Sequence, residues 1–231
     1  MTALVVLEAI CMRFVTESNP EYSVFGGINL SISAGERIAL IGRNGSGKST
    51  LLRVMARIFA PSAGYVHWAP GVSVSMLSLG LGFKPDLTGR DNALLSCLLL
   101  GLSRKEAKAS VERIAAFCEI GAFFDEPVRT YSLGMRARLG FGSALMNRSQ
   151  VILIDETLSV GDTFFREKAR EALEKELTEE RAMVLVTHSE QQVRRLCGRA
   201  LLLEGGSLLA DGDTDEVLAE YSDLRPDSQK Q

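Results

Sequence analysis

The chain has 231 residues, 46% hydrophobic and 24% charged, with a formal net charge of −3. That length supports one large domain, or one domain with an inserted subdomain, around a full hydrophobic core. The charge balance excludes a strongly basic nucleic-acid binder. The longest apolar stretch, around Ala93–Leu102, is broken by Ser96 and Gly101, short of the ~20 residues of a membrane span.

In chain order, Met1–Ile10 is apolar, has no basic start and carries Glu8, so it reads as a first strand (Val6–Met12) rather than a secretory signal. Arg37–Ile41 is a short apolar run that leads into a Gly-rich stretch. In the helical pattern that follows, Leu51, Met55 and Ile58 recur on one face until Pro61, Ser62 and Gly64 end it. Tyr65–Trp68 and Val72–Met76 read as short strands, with His67 as a structural or surface residue. From Thr88 to about Met146 the pattern is helical, broken at Gly101-Leu102-Ser103, Gly121 and Pro127. Val151–Ile154, Ala182–Thr187 and Ala200–Leu203 are continuous apolar runs, as expected of strands buried on both faces. Thr163–Leu177 is a charged amphipathic helix. Gly205-Gly206 marks a tight turn, and Asp213 with Glu216 resembles a capping box before a last helix. The cysteines Cys11, Cys97, Cys118 and Cys197 show no metal or redox spacing and are expected as free thiols.

Strand–helix alternation at both ends predicts an α/β core with a mostly parallel sheet. The expected core covers about 1–83 and 147–231, with a helical subdomain at about 84–146.

Gly42-Arg43-Asn44-Gly45-Ser46-Gly47-Lys48-Ser49 fits G-x-x-x-x-G-K-[ST] at every fixed position, between a buried strand and a helix. Its glycines allow successive N–H groups to turn toward phosphate oxygens, and the helix adds the positive end of its dipole. Lys48 supplies a charge to the β- and γ-phosphates, Ser49 a hydroxyl for Mg²⁺, and Thr50 a further phosphate contact. Asp155 and Glu156 end a buried run, which puts both carboxylates at the carboxyl edge of a sheet, where α/β folds bind ligands. There Asp155 would hold Mg²⁺ through water and Glu156 would orient the attacking water. Ser132, which lies 23 residues before Asp155, starts a helix beside Gly134. It reads either as an ordinary N-cap or as part of an anion site.

The order of these motifs resembles the nucleotide-binding domain of ABC transporters, from about Leu4 to Tyr221. Gly42–Ser49 is similar to the phosphate loop, and Tyr131-Ser132-Leu133-Gly134-Met135 to the signature sequence. Asp155-Glu156 is similar to the magnesium aspartate and catalytic glutamate, Ser159-Val160-Gly161-Asp162 to the dimer-interface loop, and His188 to the switch histidine. The resemblance implies an α/β P-loop NTPase (RecA-like) core with an antiparallel β region and an inserted α-helical subdomain. It also implies ATP and Mg²⁺ as ligands.

The variants Tyr-Ser-x-Gly-Met, Asp-Glu-x-Leu-Ser-Val-Gly-Asp and Leu81-Gly82-Phe83-Lys84-Pro85-Asp86-Leu87-Thr88-Gly89-Arg90-Asp91-Asn92 resemble the ATPase subunits of polysaccharide exporters, which handle capsule, O-antigen or teichoic acid. Leu133 departs from the signature pattern; it would stand beside a phosphate or point into the helix. The family's Gln has no match in Met76–Gly80, and Ser78 is its nearest positional equivalent for metal contact. Phe14 falls where the family stacks an aromatic on adenine, with Tyr22 as the rival.

By the same resemblance two copies form a head-to-tail homodimer, in which Ser132 and Gly134 act on the partner's nucleotide. A separate membrane-spanning permease, in two copies, would bind the surface around Ser78–Arg90. The ATPase would lie peripherally on the cytoplasmic face of the bacterial inner membrane. Because the chain stops soon after Tyr221, the resemblance favours the capsule-type arrangement without a glycan-binding module. The alternatives are the ATPase of another ABC exporter, for lipid or drug efflux, and a non-transport ABC ATPase.

Overall fold

A computed structural model describes residues 2–15, 21–77, 82–146, 148–155 and 163–224. The chain separates into two compact units, one of residues 1–76, 149–156 and 177–231, the other of residues 77–148 and 157–176.

The first unit contains two sheets. β1 (Ala3–Phe14), β2 (Tyr22–Ser33) and β4 (Ala63–Trp68) form an antiparallel sheet in the order β2-β1-β4. β2 alternates along its length: Ile28, Leu30 and Ile32 are buried while Asn29 and Ser31 are exposed, the mark of a strand with one wet face. The second sheet has the order β5-β6-β7-β3-β8-β9. It is built from β3 (Arg37–Ile41), β5 (Val74–Leu77), β6 (Val151–Asp155), β7 (Ala182–Val186), β8 (Arg199–Glu204) and β9 (Ser207–Asp213). β3 pairs in parallel with both β7 and β8, β6 pairs in parallel with β7, and β9 turns back antiparallel on β8 through Gly205-Gly206. The apolar runs of β3, β6, β7 and β8 are buried, whereas β9 is buried nowhere along its length.

α1 (Lys48–Met55) follows β3. It is shorter than its apolar spacing suggested. Leu51 and Met55 are buried, but Arg57 adopts a left-handed conformation (φ 61°), so Ile58 lies past the helix end, 57% exposed. Arg57 lies over the Trp68 ring, 4.4 Å from its centroid, where its charge meets the negative ring face. α6 (Glu190–Leu196) and α7 (Thr214–Asp223) complete the unit. Asp213 caps α7 by accepting from the Asp215 amide at 2.9 Å, one position earlier than a capping box would use.

The second unit is helical. α2 (Gly89–Leu99), α3 (Arg104–Cys118) and α4 (Leu133–Ala144) are separated by breaks at Gly101–Ser103 and by 3-10 turns over Gly121–Asp125 and Val128–Thr130. Ser103 and Glu106 form a full capping box on α3, and the Ser103 hydroxyl and amide hold the Glu106 carboxyl down at about 2. α5 (Thr163–Glu176) belongs to this unit. Phe165 on α5 is 1% exposed and packs edge-on against Phe117 of α3 (5.6 Å) and Phe141 of α4 (6.3 Å). Lys168 donates to the Phe117 carbonyl (2.9 Å) and to the Glu119 carboxylate (2.6 Å), tying α5 to the end of α3. All four cysteines are free thiols, and burial pushes Cys118 and Cys197 up to about 12. No described helix is long and apolar enough to cross a membrane.

Replacing Phe165 by Ala removes a buried ring and should lower unfolding stability by about 3–5 kcal/mol; a loss under about 1 kcal/mol in urea denaturation would contradict this packing. Ser103→Ala should cost about 1 kcal/mol in the same measurement.

Candidate functional site

β3 ends at Ile41, and the chain turns at once into the Gly-rich loop. Gly42 has φ 148°, and a Cβ there would come within 2.0 Å of the Leu203 carbonyl oxygen on β8, so the close passage of loop and sheet admits no side chain. Gly47, at φ 102°, is the N-cap of α1. Its Cβ would strike Val24 and Phe25 at 2.9 and 3.0 Å. No side chain of the described residues caps this helix, so its first amides remain available as donors. Lys48 folds back over the loop and donates to the carbonyls of Gly42 and Arg43, both at 2.8 Å. The Ser46 hydroxyl is buried and has no hydrogen-bond partner among the described residues. A buried ammonium, an unsatisfied hydroxyl and uncapped amides on one turn form a donor set suited to a polyanion.

The loop is also tied down from β8. Glu204, at the carboxyl end of that strand, accepts from the Arg43 amide at 3.0 Å; separately, Gly26 on β2 donates to the Gly206 carbonyl in the turn after β8, at 2.9 Å. Glu204 belongs to no sequence motif, an acid at the end of an apolar run being its only hint, whereas Gly206 is legible as half of a tight turn.

A cavity of about 390 Å³ opens beside the loop, lined by Phe14, Tyr22, Val24, Asn44, Gly45 and Gly47 to Thr50. Phe14 and Tyr22 face each other across the β1–β2 ladder, so both candidate aromatics reach the same mouth. Phe14 is held edge-on by Phe59 at 5.7 Å, whereas Tyr22 is 48% exposed.

The sheet register brings the remaining positions to the same edge. Leu40 on β3 lies beside Val186 on β7, and Val186 lies beside Asp155 at the end of β6. Strands lie about 4.8 Å apart, which places Asp155 two strands, or roughly 10 Å, from the strand that feeds the loop. One residue past β7, Thr187 is fixed by its bond to Gln192 (2.8 Å), and the exposed His188 follows it. Ile41, Gly42, Thr187 and His188 line one small cleft. Glu156, Ser159, Gly161, Asp162 and Ser78 lie outside the described residues.

The second unit carries Tyr131 to Met135. Tyr131 is buried, and its hydroxyl donates to the Phe123 carbonyl at 2.6 Å. Burial pushes that phenol up to about 12. Ser132 is the N-cap of α4 and accepts from the Met135 amide at 3.2 Å; its hydroxyl proton remains a donor. Leu133 occupies the first helical position, 79% exposed, and so points to solvent rather than into the helix. Among the described residues, a Cβ at Gly134 would meet only the Ser132 hydroxyl, at 3.9 Å. Met135 packs on the core of this unit.

The ABC transporter family model matches residues 25–159. The O-antigen export system ATP-binding protein RfbB of Myxococcus xanthus is 43% identical over 195 residues, covering 84% of this chain and 44% of that protein. The teichoic acids export ATP-binding protein TagH of Enterococcus faecalis is 40% identical, over 87% of this chain and 45% of its own length. RfbB of Klebsiella pneumoniae is also 40% identical, and there the match covers 81% of the relative. The chain thus spans less than half the length of the first two. Among solved structures, the dimeric post-hydrolysis state of the ATP-binding cassette MJ0796 bound to ADP and Pi superposes with a TM-score of 0.78. It is 22% identical and covers 91% of this chain and 98% of that one. The family match covers more than half of the chain, and the fold agrees with it: this protein belongs to the ABC transporter family.

Proposed function

We propose that the chain is the ATP-hydrolysing subunit of an exporter for a cell-surface polysaccharide of capsule, O-antigen or teichoic acid type. The observation that carries the nucleotide part is the loop 42–50, where Lys48, Ser46 and uncapped amides converge on one turn. The polysaccharide part is supported by relatives at 40–43% identity that are named for O-antigen and teichoic acid export.

In this reading Lys48 exchanges its two loop carbonyls for the β- and γ-phosphate oxygens. Gly42, Arg43, Asn44, Gly45, Ser46, Gly47 and Thr50 surround the phosphates. Phe14, with Tyr22 beside it, packs on the base. Ser49 and Asp155 hold Mg²⁺. Among the described residues no group of three or more His, Cys, Asp or Glu could bind a metal unaided, so this ion would also depend on phosphate oxygens and water. Bound there, it neutralises charge that develops on the transferred phosphoryl group. Glu156 orients the attacking water and takes its proton, and His188 contacts the γ-phosphate from the neighbouring strand end.

Ser132 and Gly134 of a second copy complete the site across a homodimer, with Ser159, Gly161 and Asp162 at the interface. The homodimer is supported by the dimeric cassette of the same fold. A separate membrane-spanning permease, in two copies, would receive the motion and hold the ATPase at the cytoplasmic face of the membrane.

Glu156→Gln should retain ATP binding, lose about 10²–10⁴-fold in turnover and accumulate as an ATP-bound dimer in size-exclusion chromatography; normal turnover would remove Glu156 from this role. Lys48→Ala should weaken ATP binding by about 10- to 100-fold, the worth of one or two charge-assisted bonds, measured by calorimetry. Deletion of the protein in its host should leave polymer inside the cell; unchanged surface glycan would refute the export assignment.

A further inference from the structure

The run Phe83–Asn92 stands out in the sequence, yet none of its residues is used in the nucleotide roles proposed above. Its most buried polar member is Asn92, on the first turns of α2 and 1% exposed. The Asn92 side-chain oxygen accepts from the Lys84 amide at 2.7 Å, and its amide nitrogen donates to the carbonyls of Lys84 (3.1 Å), Leu87 (3.2 Å) and Thr88 (2.9 Å). One side chain therefore sets the shape of the otherwise exposed turn from Lys84 to Thr88.

That turn is bonded in its own right to the segment leading into the signature. The Leu87 carbonyl that accepts from Asn92 also accepts from the Val128 amide at 2.9 Å, and the Pro85 carbonyl accepts from the Arg129 amide at 2.9 Å. A single 3-10 turn, closed by Tyr131 N–H to the Val128 carbonyl at 3.0 Å, then leads to Tyr131, and Ser132 is the next residue. Gly89 seals the junction: a Cβ there would stand 2.1 Å from the Tyr131 hydroxyl. Backbone bonds at both ends make this path stiff, because shifting Leu87 or Pro85 breaks them or carries Val128 and Arg129 along.

We propose that Asn92 is a positioning residue for the signature. It holds the 84–88 turn in the shape that presents the Leu87 and Pro85 carbonyls to Val128 and Arg129, and so fixes where Ser132 and Gly134 stand. A load on the exposed turn, whose Asp86 side chain is 85% exposed, is thereby delivered to Ser132 without passing through the nucleotide loop. This rests on the reading that Ser132 and Gly134 complete the nucleotide site of a second copy.

The test is Asn92→Asp, which keeps an acceptor for Lys84 but turns a carboxylate oxygen toward three carbonyls. In the full-length chain, ATP affinity and binding stoichiometry should stay within about twofold of wild type while turnover falls about tenfold or more. Peptides spanning 126–132 should exchange amide hydrogen faster, and those spanning 37–55 should not. Gly89→Ala, which disturbs the same junction from the Tyr131 side, should give the same split. A proportional loss of binding stoichiometry and turnover would reduce Asn92 to a general folding residue and overturn the proposal. So would unchanged exchange over 126–132 in both variants. A wild-type chain that binds ATP but never turns it over, even when dimeric, would overturn the proposed function, whereas wild-type turnover matched by Asn92→Asp would overturn this inference alone.

Discussion

β3 is hydrogen-bonded on one side to β7 and on the other to β8, all three running the same way. Its central residues Ile38, Ala39 and Leu40 are fully buried. The phosphate-type loop and the strand ends beside it are placed by that central position. The loop hangs from the end of β3, Glu204 reaches its backbone from the end of β8, and Thr187 and His188 approach from the end of β7. Parallel strands end on the same side, so chemistry from distant parts of the chain collects at one edge without any long loop. The close approach of β8 also explains Gly42, where the neighbouring strand occupies the space of a Cβ.

The second unit obeys a different constraint. Among its described residues no sheet aligns its elements, and its order comes from side chains that close around the helix ends. Phe117, Phe141 and Phe165 interlock α3, α4 and α5. The Arg138 guanidinium lies 4.8 Å from the Phe165 ring centroid and donates to the Cys118 carbonyl, and Lys168 caps the same helix end from α5. Aromatic burial supplies the bulk of the contact, and the two cations satisfy carbonyls that a helix end leaves unpaired. α4 is thus anchored along its middle, while its first turn, with Ser132, Leu133 and Gly134, faces outward. Leu133 is exposed at the first helical position, and nothing in the structure explains its departure from the pattern that the segment resembles.

Much of this was legible from residue order. The loop 42–50 announces its own geometry, since only glycines take its positive-φ positions without strain. The buried strands β3, β6, β7 and β8 show as unbroken apolar runs, and Gly101, Gly121 and Pro127 mark the breaks of the helical unit. β2 and β9 are not legible in the sequence, because each carries residues disfavoured in strands. β2 carries Gly26 and Gly27 ahead of a clear alternation, and β9 contains Asp211, Gly212 and Asp213, residues disfavoured in strands. β9 forms because β8 offers it an open edge to pair with after a tight turn. Ile58 fits the helical spacing of Leu51 and Met55, yet it lies past the helix, because periodicity does not record where Arg57 turns left-handed.

By itself the sequence determined the buried parallel strands, the breaks between helices and the family to which the chain belongs, because these are written in local spacing and in short runs of residue type. The tertiary structure alone decided the strand order that sets Asp155, His188 and Gly42 along one edge. It also decided the joint presence of Phe14 and Tyr22 at one cavity, the anchoring of Arg43 by Glu204, the packing of α5 with the helical unit and the role of Asn92. Each of these joins residues far apart in the chain, and such pairings follow from which buried surfaces fit together and which backbone groups find partners, quantities that no single stretch of sequence contains.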